Sequence, residues 1–346
     1  MTASQSTLGI EVDALESYLR KAGYSRNAPI AVERLSGGQS NPTYLLKAGG
    51  ESFVLRKQPE GKLLSSAHAI DREYRVMQAL SAHGVPVPTT HLYCADATVI
   101  GTPFYLMQYM DGRIFVDPSL PGLGMPERGA IYSEMNRVIA QLHDVDYEAA
   151  GLADFGKPGN YFERQIARWS RQYRASRTED IAEMDELMAW LPANIPPGDE
   201  TTLVHGDYRI DNLVFDKRKP RVIAVLDWEL ATLGHPLADI SYHCMAWRIP
   251  AALWRGFAGI DHTGSGIPSE QQYVAEYCRR TGREEIDYWD FYLAYNLFRI
   301  AAILQGIMGR ARDGSASADD ALEMGRKVRP LAEFGWETVR RLTRGG

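Results

Sequence analysis

Leu203-Val-His-Gly-Asp-Tyr-Arg-Ile-Asp-Asn-Leu-Val-Phe215, followed by Val222-Ile-Ala-Val-Leu-Asp-Trp-Glu229, is the part of the chain from which its fold is read. Two apolar runs, short enough to be strands, bracket a polar loop, which is how a rigid scaffold presents reactive side chains. In that loop Asp207 is followed at the fifth position by Asn212, and Asp227 closes the second apolar run. A carboxylate, an amide and a second carboxylate in this order match phosphoryl-transfer sites, where the first takes a proton and the other two hold a metal. The need is electrostatic: the phosphates of ATP repel an alcohol nucleophile until a cation offsets their charge. Hard oxygen donors suit Mg²⁺, which keeps its remaining positions for water and phosphate. Asp207 is therefore the candidate general base, and Asn212 and Asp227 are the candidate metal ligands. Arg209, two residues past the base, is the candidate for spreading charge on the transferred group. Each residue type alone is ordinary turn chemistry; the joint spacing carries the reading.

The chain has 346 residues, 45% of them hydrophobic, enough for a large core and for two lobes rather than one. A net charge of -6 argues against a nucleic-acid partner. The start, Met1-Thr-Ala-Ser-Gln-Ser6, lacks the basic and apolar parts of a leader, and no run reads as transmembrane in length. A cytoplasmic protein with no membrane role is expected. Cys94, Cys244 and Cys278 are too scattered for a disulfide framework or a zinc site and read as small buried hydrophobes.

In the first third, Val12, Leu15 and Leu19 recur at helical spacing, and the helix is predicted to end near Gly23. Ile30–Leu35 and Tyr44–Lys47 read as strands joined by Ser36-Gly-Gly-Gln-Ser-Asn-Pro42. A glycine-rich turn lets backbone N–H groups approach phosphate oxygens without Cβ obstruction, so Gly37, Gly38, Gln39, Ser40 and Asn41 are candidate nucleotide contacts. A third strand, Ser52–Lys57, ends on two cations, Arg56 and Lys57. In kinase sites a cation here holds the α- and β-phosphates and pairs with an acid on the next helix; Glu73, in the helix read over Ala67–Leu80, is that acid. Neighbours on a strand face opposite ways, so only one of the two cations reaches the phosphates. The strand Phe104–Met110 runs into Asp111-Gly112, a glycine turn between halves of different composition, and a division is placed near residue 110. Beyond it the patterns are helical: Glu127–His143, Tyr161–Ser176, and segments near Ser269–Arg280, Asp287–Arg310 and Ala316–Leu342. The Tyr161 helix carries Phe162, Ile166, Trp169 and Tyr173 on one face and Arg164, Arg168, Arg171 and Arg174 on another.

His205-Gly-Asp-Tyr-Arg-Ile-Asp-Asn212 and Leu226-Asp-Trp-Glu229 resemble the aminoglycoside phosphotransferase and choline kinase superfamily, small-molecule kinases of protein-kinase-like fold. Within it the chain is most similar to the kinase-like domain fused ahead of acyl-CoA dehydrogenase family members 10 and 11, and to stand-alone bacterial relatives. The resemblance runs from Leu35-Ser-Gly-Gly-Gln-Ser-Asn41 to the helices after Asp239. It implies an α+β, two-lobed fold: residues 1–110 as a small N-lobe with an antiparallel sheet plus a helix, binding the nucleotide, and 111–346 as a large, mainly helical C-lobe with catalytic loop, metal ligands and acceptor site. It selects Arg56 over Lys57, gives the backbone of Gln108 and Met110 to adenine, and makes Asp239 a brace of the catalytic loop. ATP and Mg²⁺ are the implied cofactors. Only about a dozen residues separate Asp227 from Asp239, which leaves no room for a protein-kinase activation segment, so a small-molecule acceptor is expected. The arginine row suits an anionic hydroxylated acceptor, a hydroxyacyl-CoA or hydroxy acid. The alternatives are an aminoglycoside or choline-like acceptor and a non-catalytic nucleotide-binding protein.

Overall fold

In the computed structural model, which describes residues 9–25, 29–35, 41–60, 69–259, 264–312 and 318–344, the helix marked by Val12, Leu15 and Leu19 is α1 (Val12–Lys21). There follow β1 (Ala31–Arg34), β2 (Thr43–Ala48), β3 (Glu51–Lys57), α2 (Ile70–Ala82), β4 (Thr90–Cys94) and β5 (Phe104–Gln108). They build an antiparallel sheet in the order β1-β2-β3-β5-β4. Gly49 and Gly50, at φ 61° and 88°, close the β2–β3 hairpin, and Ala48 pairs with Glu51. Positive φ at both turn residues matches the right-handed twist of the strands, which is why two glycines sit there. This pairing sets the β3 register, with Arg56 opposite Thr43 on one side and Tyr105 on the other. Leu15 and Leu19 of α1 pack on Leu46, Phe53, Leu55, Phe104 and Leu106 of the sheet.

The chain continues through α3 (Met125–His143), α4 (Tyr161–Ser176), α5 (Ala182–Ala193), β6 (Thr202–Val204), β7 (Leu213–Phe215), β8 (Val222–Val225) and β9 (Thr232–Gly234). It ends in α6 (Pro236–Cys244), α7 (Ala251–Trp254), α8 (Glu270–Thr281), α9 (Trp289–Arg312), α10 (Ala318–Arg326) and α11 (Val328–Arg344). The segment read as one helix over Ala316–Leu342 is thus two, separated at Lys327, and its first two residues lie outside the described residues.

The division of the chain departs from a single break near residue 110. One compact unit takes Met1–Arg113, Glu148–Leu152 and Leu213–Ala231; the other takes Ile114–Tyr147, Ala153–Asn212 and Thr232–Gly346. The β7–β8 hairpin joins the first unit by backbone bonds: Arg113 N–H to the Phe215 carbonyl (2.7 Å), Phe215 N–H to the Arg113 carbonyl (2.8 Å), and Val225 N–H to the Pro86 carbonyl (2.8 Å). Gly112 permits this approach, since a Cβ there would stand 2.3 Å from the Phe215 oxygen. Asp227 consequently belongs with the sheet, not with the helices.

The second unit is built on α9, buried from Phe291 to Gly306 at all but one position and packed against α4, α6, α10 and α11. Contrary to the expectation of no run of transmembrane length, α9 is long and apolar enough to cross a membrane, and 83% of its apolar window is buried inside the protein. All three cysteines are free and buried.

Candidate active site

The loop that carries Asp207 follows β6, which pairs antiparallel with β9. Two residues after β9 the chain enters α6, so the first turn of that helix comes up beneath the loop. There Asp239 accepts from the backbone N–H of His205 (2.7 Å) and of Gly206 (2.8 Å). Behind it His143 Nε2 stands 3.2 Å from Asp239 Oδ2, and His143 Nδ1 meets the Tyr277 hydroxyl at 2.8 Å. Burial alone would raise the Asp239 pKa, but the contacts with His143 and His205 hold it below the usual carboxylate range. His143 is thus a buried histidine with both ring nitrogens partnered. From α9, Arg299 donates to the Gly206 carbonyl (2.7 Å), so both polar groups of the Gly206 backbone are held by buried side chains.

Asp207 itself is ringed by donors. The Tyr242 hydroxyl donates to Oδ1 at 2.5 Å, and Arg209 Nε lies 3.0 Å from the same oxygen. Asn212 Nδ2 lies 3.2 Å from Oδ2 and donates to the Asp207 carbonyl at 2.9 Å. Arg209 Nη1 is 3.4 Å from Asp211, which also pairs with Arg255. With its nitrogen committed to Asp207, Asn212 leaves Oδ1 as the atom free to meet a cation.

In the first unit the centre is Arg56. Its guanidinium lies 3.0 Å from Glu73, 3.3 Å from Asp227 and 3.6 Å from Glu229. Burial opposes its charge, but these carboxylates win and raise its pKa, so it stays protonated. Burial pushes Glu73 up to about 7, against the pull of Arg56 and a hydrogen bond from Tyr105 at 2.9 Å. Lys57 points the other way, its Nζ bonded to the Gly9 carbonyl (2.8 Å) and 3.1 Å from Glu60. Asp227 adopts φ 68°, ψ 59°, a left-handed conformation that costs a non-glycine residue on the order of 1–3 kcal/mol and is typical of constrained functional positions.

Gly37, Gly38, Gln39 and Ser40 lie outside the described residues. Asn41 is buried and donates to Glu73 at 2.9 Å, so its amide is committed to the acid expected to pair with Arg56. The N–H of Gln108 is bonded to the Thr89 carbonyl (2.8 Å), and any pairing through Gln108 falls to its carbonyl; Met110 lies just past β5.

Beside Arg209 the second unit has a small cavity of about 50 Å³. Tyr132, Met135, Ile210, Met245, Ile249 and Trp254 form apolar walls, with Arg209, Asp211 and Arg255 among the polar lining groups. The row on α4 is less available than its spacing suggests: Arg164 donates to the Lys157 carbonyl, and Arg168 lies over the Trp169 ring at 4.9 Å. Among the described residues no group of three or more His, Cys, Asp and Glu could hold a metal. Mg²⁺ does not need one, because one carboxylate plus substrate phosphates and water suffice, and the donor chemistry of Asp227 and Asn212 fits it. Tyr242, Arg299, Arg255 and Glu229 went unassigned in the sequence. Tyr242 had a signal, three residues after Asp239 on one helix, whereas Arg299 and Arg255 reach the loop from 93 and 44 residues away.

Residues 31–288 match the phosphotransferase enzyme family. The chain is 48% identical over 336 residues to acyl-CoA dehydrogenase family member 10 of Mus musculus, covering 96% of this chain and 31% of that protein. It is 42% identical over 334 residues to family member 11 of Homo sapiens, covering 95% and 43% respectively, so it spans less than half of these relatives. A crystal structure of a candidate aminoglycoside phosphotransferase from Ralstonia eutropha is 51% identical, covers 96% of this chain and 99% of that one, and superimposes with a TM-score of 0.87. Spectinomycin phosphotransferase, at 12% identity, 95% and 98% coverage and a TM-score of 0.64, shares the fold. A match over most of the chain and a solved relative identical at half of its positions place the chain in the phosphotransferase enzyme family.

Proposed function

We propose that this phosphotransferase, whose acceptor group is an alcohol, moves the γ-phosphoryl of ATP with Mg²⁺ onto an anionic hydroxylated small molecule, a hydroxyacyl-CoA or hydroxy acid. Asp207 would orient the acceptor hydroxyl and take its proton, and Arg209 would lie along the charge that develops on the transferred group. Arg56, oriented by Glu73, would meet the α- and β-phosphates, and the Gln108 carbonyl and Met110 backbone would take the adenine. Asn212 Oδ1 and Asp227 would hold Mg²⁺, which supplies the positive charge that lets an alcohol approach the phosphates. The chemistry asked of the protein is positioning and electrostatics, with no covalent intermediate.

The observation that carries the acceptor class is the cavity beside Arg209. Its lining contains two guanidiniums and one carboxylate, Asp211, already paired with both. A polycationic aminoglycoside needs unpaired carboxylates, whereas an anionic, partly apolar molecule finds complementary charge and apolar walls. The names of the relatives point the same way, since they put acyl-CoA chemistry on the same polypeptide. The acceptor charge is better met by Arg209 and Arg255 than by the α4 row. The test is steady-state ADP release with a 4-hydroxyacyl-CoA and with kanamycin, for the wild type and Arg255→Ala. A kcat/KM at least ~10-fold higher for the hydroxyacyl-CoA is expected, falling ~10-fold in the variant, as for a lost charged contact. Excess EDTA should abolish turnover. Preference for kanamycin, unchanged by Arg255→Ala, would overturn the acceptor assignment.

A further inference from the structure

We infer that Tyr242 is a positioning residue for Asp207: its hydroxyl pins Oδ1, so that Oδ2 is the oxygen that receives the acceptor proton. The inference rests on Asp207 as the base. Oδ1 accepts from the Tyr242 hydroxyl at 2.5 Å and has the Arg209 guanidinium against it as an ion pair, with Nε at 3.0 Å but not in hydrogen-bond geometry. Oδ2 serves one donor, Asn212 Nδ2 at 3.2 Å. The short Tyr242 bond and the Arg209 guanidinium crowd Oδ1, whereas Oδ2 carries a single longer bond and keeps one of its two lone-pair sites open for the incoming hydroxyl.

The tyrosine is held for this purpose from three directions. It sits one turn after Asp239 on α6, and Asp239 fixes the loop backbone at His205 and Gly206. One short helix therefore sets both the path of the loop and the torsion of the base. From α9, the buried Arg299 lies over the Tyr242 ring at 5.2 Å while donating to the Gly206 carbonyl. The ring is buried, and burial together with the charge of Asp207 raises the Tyr242 pKa well above 10, so the hydroxyl remains a donor. Without it, Asp207 keeps the ion pair with Arg209 and the Asn212 bond on Oδ2 but loses the short neutral bond on Oδ1 that fixes its plane. Carboxylate rotation would then carry Oδ2 out of line with the acceptor.

The test is a double-mutant cycle on the full chain with Tyr242→Phe and Asp207→Asn, followed by single-turnover ADP formation with the best acceptor from the screen above. Tyr242→Phe should lower kcat by about 10-fold, the scale of one hydrogen bond to a charged group, with KM for ATP and for acceptor within about twofold of wild type. In the Asp207→Asn background the same change should cost less than about twofold, because both substitutions act through one carboxylate. Thermal unfolding of Tyr242→Phe within a few degrees of wild type excludes a folding defect. Wild-type kcat in Tyr242→Phe, or an equal loss in both backgrounds, would overturn the inference. If Asp207→Asn alone turns over like wild type, it is the assignment of the base that fails.

Discussion

Arg56 and Lys57 are neighbours in β3, and the pleat sends them to opposite faces: one into a ring of carboxylates, the other to the Gly9 carbonyl and Glu60. The difference makes a prediction. Arg56→Ala should raise KM for ATP and cut kcat by roughly 10- to 100-fold, as for a lost phosphate and ion-pair contact. Lys57→Ala should leave both within about threefold, its cost appearing in thermal stability instead. The reverse ranking in steady-state kinetics would mean that β3 is read one residue out of register. At this scale the spacing Asp207, Asn212, Asp227 was legible because it is an interval along one stretch of chain. Tyr242 was not, because a tyrosine on an apolar helix face reads as core until its hydroxyl is seen on Asp207.

Among the elements, α6 brings two side chains, Asp239 and Tyr242, onto the loop of Asp207. It begins at Pro236 behind His235, whose Nδ1 accepts from the Leu237 N–H at 3.2 Å. Burial, foremost, pushes the His235 pKa down to about 4. The unfolded chain takes up a proton near pH 6.5 and the folded chain only near 4, so His235 contributes stability that is complete above about 6.5 and is lost as the pH falls from 6.5 toward 4. Between pH 7.5 and 5 the loss should be about 2 kcal/mol. Asparagine also caps helices well, so His235→Asn should keep α6 and flatten the curve: in urea unfolding, the wild type should lose about 2 kcal/mol more than the variant over this range. The comparison isolates His235 from Glu73, which, with a raised pKa, loses stability as the pH rises through about 7. Equal losses would show that His235 is not the titrating group. The strands around Gly49-Gly50 and the helices from Met125 and Tyr161 were legible from pattern, since a two-residue glycine turn and an amphipathic stripe are local signals. The separation of α10 from α11 was not, because apolar periodicity continues across Lys327.

For the molecule as a whole, α9 is the centre of the second unit, and its burial on every face gives it the composition of a membrane span. Phe298, fully buried, should therefore be costly to remove: Phe298→Ala should destabilise the protein by roughly 3–5 kcal/mol in urea unfolding. A loss below about 1 kcal/mol would mean that α9 is not the core helix. The sequence by itself determined the fold class and the family, because each rests on intervals within one stretch of chain: turn chemistry, strand alternation, helical period and the spacing of Asp207, Asn212 and Asp227. Only the tertiary structure decided that Asp227 travels with Arg56 and Glu73, that Asn41 is spent on Glu73, that Arg164 is tied to backbone, and that Tyr242 and Arg299 meet the loop of Gly206 and Asp207. These depend on which distant segments meet. A Gly112 backbone bare enough to touch Phe215, or an arginine 93 residues from its partner carbonyl, leaves no periodic trace in the chain.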